Sequence, residues 1–123
     1  MNTINGIVSN VRLEITENSC MIFNIDINLG SNKHITFGNI NIGYPDNEIK
    51  YSSQEKQILN YCAYYISKVF RVLGVNKMED IINKPIRVII NDNRCIGIQN
   101  FIDNSNYFVP EADFNNIDLN SIL

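Results

Sequence analysis

The chain has one histidine, His34, so any Ser–His, Cys–His or two-histidine metal arrangement must pass through it. Cys20 is predicted on the neighbouring strand and is close enough in the layout to meet it. The cysteines are Cys20, Cys62 and Cys95. They make no CxxC pair and no zinc spacing, and read as reduced, buried thiols. Glu79-Asp80 and Glu111/Asp113 are the nearest thing to paired carboxylates. Adjacent acids on a helical turn diverge, so they read as solvated or capping groups. No GxGxxG and no phosphate loop is present. The residue types thus point away from catalysis and away from a resident metal or cofactor.

The chemistry that remains is recognition. Aromatic rings give a face on which a base stacks, amides bond ribose hydroxyls and base edges, and guanidinium forks fit phosphates. The residues able to do this are Phe37, Tyr44, Phe101, Tyr107 and Phe108, with Asn39, Asn91, Asn93 and Asn100, and with Arg71 and Arg94. Each has a structural alternative: Phe37 and Phe101 as core strand residues, Asn91 and Asn93 as turn residues, Arg71 as the wet side of a helix.

The elements that must position these groups follow from periodicity. Thr3–Ile15 reads as a strand. Met21, Phe23, Ile25, Ile27 and Leu29 then alternate with Ile22, Asn24, Asp26 and Asn28, the mark of a strand with one apolar and one largely polar face. A hairpin loop, Gly30–Lys33, leads to a third strand, His34–Ile42, whose phase shifts at Gly38. That shift predicts a bulge or a close backbone approach. Together these strands predict an antiparallel meander. After a loop from Gly43, Ser52 and Glu55 match a capping box. Ile58, Cys62, Tyr65, Ile66, Val69, Phe70 and Leu73 then form one helical stripe over Gln54–Leu73, and Gly74 stops it. Lys77–Ile82 predicts a short helical turn. Ile86–Ile90 and Cys95–Ile102 predict a hairpin about Asn91–Arg94. The tail after Pro110 carries Phe114, Ile117 and Leu119 without a clean period, and is expected to dock on the domain or on a second subunit. The expected fold class is α+β: an antiparallel sheet of a three-strand N-terminal meander plus a C-terminal hairpin, packed by one long helix, in a single ligand-binding domain over 1–123.

Composition narrows the partners. With 123 residues, 45% of them hydrophobic and 19% charged, the chain reads as globular. Its net charge of −3 supplies no dense basic face, so no nucleic acid polymer is expected. No apolar run nears the ~20 residues of a membrane span, and the first residues carry no secretion signal. A cytoplasmic location with no membrane partner is expected.

The second half resembles a known family. Val72-Leu73-Gly74-Val75-Asn76-Lys77-Met78-Glu79-Asp80-Ile81 is followed by Lys84-Pro85-Ile86-Arg87-Val88, then Ile96-Gly97-Ile98, then Tyr107-Phe108-Val109-Pro110 and Phe114. This is similar to the Thoeris anti-defence family of the first type: a helix ending in Leu-Gly-Val, an aromatic-Glu-Asp turn, Gly-Lys-x-x-Arg-Val, an Ile-Gly strand and an aromatic-Phe-x-Pro tail. Met78 stands where the pattern has tryptophan, and Asn83 where it has glycine. Its Phe-Gly-Gly-Tyr element is present only as Phe37-Gly38-Asn39 with a displaced Gly43-Tyr44.

The resemblance implies a phage protein that binds and holds a cyclic ADP-ribose isomer (the glycocyclic form) made by a bacterial TIR-domain enzyme. It does not cleave that messenger, and it works as a homodimer or higher oligomer in the host cell. On that reading Phe70 or Phe37 and a tail aromatic, Tyr107 or Phe108, sandwich the adenine. Arg71 and Arg94 face the pyrophosphate, and Asn39, Asp80 and Asn100 hold the riboses. The competing readings are a phage inhibitor that binds a host defence protein directly, and a hydrolase of the same nucleotide.

Overall fold

The computed structural model describes residues 2–15, 21–38, 41–43 and 53–116. The class is α+β. β1 (Asn2–Ile15), β2 (Met21–Gly30), β3 (Lys33–Phe37), β4 (Asn41–Gly43), β5 (Pro85–Asn91), β6 (Arg94–Asn100) and β7 (Tyr107–Phe108) form one sheet. The strand order is β3-β2-β1-β5-β6-β7, with β4 also on β2, and every pairing is antiparallel. The N-terminal meander and the C-terminal hairpin therefore share a single sheet, because β1 lies between β2 and β5.

The expected third strand is two pieces. β3 pairs with β2 through Ile25↔Phe37 and β4 through Ile22↔Asn41, so both run along the same edge of β2 with a break between them. Gly38 sits at the start of that break with φ 129°. A Cβ there would run into the Phe23 carbonyl and the Asn24 side chain. This is the close backbone approach that the phase shift predicts, and a non-glycine residue is doubly disfavoured.

α1 (Ser53–Leu73) follows. Ser52 of the expected capping box lies outside the described residues. The helix ends in a Schellman motif. Gly74 takes φ 70°, its N–H donates to the Arg71 carbonyl at 3.2 Å, and the Val75 N–H reaches back to the Phe70 carbonyl at 3.0 Å. The buried stripe is centred on Tyr65, Val69 and Val72, with Leu73 beside them. Ile66 and Phe70, expected within it, lie at its half-buried margin. These residues close on Val8, Phe23, Ile25, Ile27, Phe37, Ile86, Val88, Ile98 and Phe108 from the sheet. Each fully buried large apolar side chain contributes roughly 1.5–3 kcal/mol.

Three C-terminal features differ from expectation. The last predicted strand stops at Asn100 instead of Ile102. Tyr107–Phe108 returns as β7, pairing Ile98↔Phe108 and Gln99↔Tyr107. The tail forms α2 (Pro110–Asn116), with Glu111 and Asp113 in its first turn where the helix dipole favours acids. Asp113 docks α2 onto α1: its carboxylate accepts from Tyr64 Oη at 2.9 Å and lies 3.8 Å from Lys68 Nζ. Between α1 and β5, Met78–Asp80 forms a 3₁₀ turn. No helix among the described residues is long and apolar enough to cross a membrane.

Candidate functional site

The C-terminal end of α1 is where expected recognition residues gather. Its last carbonyls carry the negative end of the helix dipole and need donors. Besides the two backbone N–H groups above, Asn100 Nδ2 donates to the Val72 carbonyl at 2.7 Å, and Asn106 Nδ2 to the Arg71 carbonyl at 3.0 Å. The segment after β6 thus clasps the helix end.

Beside this end a broad, open hollow of about 770 Å³ runs along the helix, lined by Ile66, Ser67, Phe70, Arg71, Val75 and Asn76 among others. Phe70 is half-buried against the core and Arg71 is exposed. An aromatic, a guanidinium, a hydroxyl and an amide therefore face one space, and among the described residues no carboxylate lines it. That set can stack a base, grip a phosphate and bond sugar hydroxyls. The arginine also offsets the residual dipole of the helix end.

Arg94 lies elsewhere. It opens β6 after a turn in which Asp92 and Asn93 both take positive φ, 51° and 62°. It borders two adjoining hollows of about 420 and 170 Å³, walled by Ile96 and Glu111 in both and by Asn91 and Asp92 in the larger. Two carboxylates beside one guanidinium make this space poorly suited to a bare anion. Arg71 adjoins the Asn100 end of β6 and Arg94 the other, about 20 Å of strand apart. The two arginines line different hollows of one chain.

Phe37 and Phe108 sit in the core, 2% and 0% exposed. Phe37 stacks on Tyr65 at 5.9 Å, and Phe108 meets the same ring edge-on at 5.2 Å. Their ring faces are occupied by other side chains. Asn100 is engaged as well: besides its bond to Val72, its Oδ1 accepts from the Ile102 and Asp103 N–H groups at 3.0 and 2.8 Å. Asp80 is exposed in the 3₁₀ turn, and Tyr107 is half-exposed on the edge strand β7. Asn39 lies outside the described residues.

Ser67, Asn76 and Asn106 were not among the expected recognition residues. Ser67 lies one turn before Arg71, on the same face, and that spacing is readable in the sequence. The role of Asn106 is not readable, because its partner is 35 residues away.

The remaining candidates for chemistry resolve simply. His34 is exposed on β3. Burial pushes the Cys95 thiol up to about 11, so it is protonated and inert at neutral pH. Among the described residues, no three His, Cys, Asp or Glu side chains converge as metal ligands. Cys20 lies outside the described residues. Comparison with known proteins finds no family model, no curated protein and no solved structure that matches this chain.

Proposed function

We propose that this chain is a sponge: it binds a TIR-produced cyclic ADP-ribose isomer and holds it intact, which silences Thoeris immunity in the cytoplasm of a phage-infected bacterium. The observation that carries the reading is the hollow at the end of α1, where Phe70 and Arg71 face one space that no carboxylate lines among the described residues. At about 770 Å³ it falls within the usual range for small-molecule sites. The similarity of residues 72–114 to the Thoeris anti-defence pattern supplies the identity of the guest. In this reading the sheet and the one long helix across it are scaffold, and the ligand sits on the helix margin.

Affinity sets a further demand. Nanomolar sequestration needs about 12 kcal/mol. One stacked base contributes ~1–3 kcal/mol, so an open hollow with one ring and one fork falls short. A second copy of the chain closing over the guest supplies the rest.

The test is recovery. The protein is incubated with cyclic ADP-ribose isomers, free nucleotide is removed, the protein is heat-denatured and the supernatant is analysed. Intact isomer released by heating is the expected result. A hydrolysed product would replace the sponge with an enzyme. An isomer that is never depleted would sink the reading and favour direct binding to a host protein.

A further inference from the structure

The hairpin turn between β5 and β6 sets charges of both signs around one space and leaves them apart. Asn91 pairs with Arg94 across a two-residue turn, and Asp92 and Asn93 at its tip take φ 51° and 62°. A turn of this kind follows the twist of its strands, so Asp92 and Arg94 project from a fixed frame. Glu111 comes from a second element, α2, which Asp113 ties to α1. The three charged groups line the larger Arg94 hollow, of about 420 Å³, together with Asn91. Among the described residues, no ion pair joins Arg94 to either carboxylate, and none of the three side chains makes a hydrogen bond.

Unpaired charges of opposite sign around one hollow suit a guest that carries both. A bare anion meets two carboxylates there, and a bare cation meets the guanidinium. A guest with a carboxylate and an ammonium satisfies all three groups together. Its carboxylate takes the planar fork of Arg94, and its ammonium donates to Asp92 and Glu111.

The smaller hollow defines the rest of the guest. It is about 170 Å³, shares Arg94, Ile96 and Glu111 with the first, and is otherwise lined by Phe37, Gly38, Cys95 and Pro110. Phe37 and Pro110 are buried. Burial keeps the Cys95 thiol protonated, so it acts there as a small apolar group. We propose that the two hollows form one site for a free α-amino acid with an apolar side chain of about leucine size. Its charged head lies between Arg94 and the carboxylates, and its side chain lies against Phe37, Cys95 and Pro110. The site is separate from the Phe70–Arg71 hollow, so the inference does not rest on the nucleotide reading.

Titration of the wild-type chain with L-leucine, followed by amide NMR, tests it. Saturable shifts are expected at Arg94, Cys95, Ile96, Glu111 and Ala112, with a dissociation constant on the order of a millimolar, since the charged groups are exposed. Isocaproate lacks the ammonium and isopentylamine lacks the carboxylate, and each should bind at least about fivefold more weakly. Glycine, without the side chain, should bind about tenfold more weakly. Glu111→Gln should weaken leucine binding roughly three- to fivefold. Its circular dichroism and its affinity for the cyclic nucleotide should match wild type, because the residue is exposed and outside the Phe70–Arg71 hollow. A chain that holds the nucleotide but shows no saturable shift with leucine up to about ten times that constant overturns the proposal. Equal binding of isocaproate or isopentylamine, or wild-type leucine affinity in Glu111→Gln, overturns it as well.

Discussion

Phe37 and Phe108 lie on strands at opposite ends of the sheet order, yet their ring centroids are 6.2 Å apart, edge to face. The sheet is rolled so that β3 and β7 approach with no ladder between them, and Tyr65 of α1 touches both rings. The seam is therefore held by aromatic packing in place of backbone hydrogen bonds. Phe108→Ala should cost about 3–5 kcal/mol of unfolding free energy, and Phe37→Ala a similar amount. The double variant should lose less than the sum, because both rings lean on Tyr65. Urea denaturation with a constant slope checks all three.

Asn100→Ala removes three hydrogen bonds at once: the donor to the Val72 carbonyl and the acceptor for two loop N–H groups. A loss of about 2–3 kcal/mol is expected, with faster amide exchange at Ile102 and Asp103. Asn100→Asp keeps the acceptor but sets a carboxylate against a carbonyl. It should restore the two loop amides' protection without restoring stability, as read by native-state hydrogen exchange.

These two sites show what a sequence does and does not reveal. The alternation of Met21–Leu29 is legible because β2 buries one face, and Gly38 and Gly74 mark positions where a side chain is excluded or the backbone turns left-handed. β7 escapes because two residues carry no period. α2 escapes because seven residues span barely two turns, although Pro110 with Glu111 and Asp113 is a start signal. The hollow on α1 is half legible: Phe70 and Arg71 stand out by type. The clasp that fixes their turn depends on Asn100 and Asn106, whose carbonyl partners lie 28 and 35 residues back. The burial of Phe37 and Phe108 is a consequence of the rolled sheet, which no local pattern encodes.

Arg71→Ala should weaken binding of the cyclic ADP-ribose isomer tenfold or more, about 1.4 kcal/mol, while leaving stability within about 0.5 kcal/mol because the side chain is exposed. Arg71→Lys should recover only part of that, since an ammonium cannot make the paired bonds of a guanidinium. Phe70→Ala should weaken binding and stability together. Isothermal titration beside urea denaturation separates the effects, and affinities within threefold of wild type for Arg71→Ala, Phe70→Ala and Arg94→Ala would remove the assigned site.

On the polar face of the sheet, Arg12 Nη2 donates to Asp26 Oδ1 at 3.0 Å and Thr36 Oγ1 to the same oxygen at 2.9 Å. Burial pushes the Asp26 carboxyl up, but the bonds from Thr36 and Arg12 outweigh it and hold the group below its ordinary value. A depressed carboxyl stabilises the fold above its unfolded pKa of about 3.9, and that contribution fades as pH falls through the folded value. The stability gap between wild type and Asp26→Asn should thus be constant from neutral pH down to about pH 5 and shrink below about pH 4. Urea midpoints across that range read it out.

The placement of β1 also governs how the chain is made. Asn2 pairs with Ile90 and Ile7 with Pro85, so β1 waits for one of its two flanks until β5 has been synthesised. Until then the β1 edge of the β1–β4 meander is bare, vulnerable to pairing with a neighbour on the same message. Slow translation of the stretch between α1 and β5 would prolong that exposure, and abundant expression would multiply the neighbours.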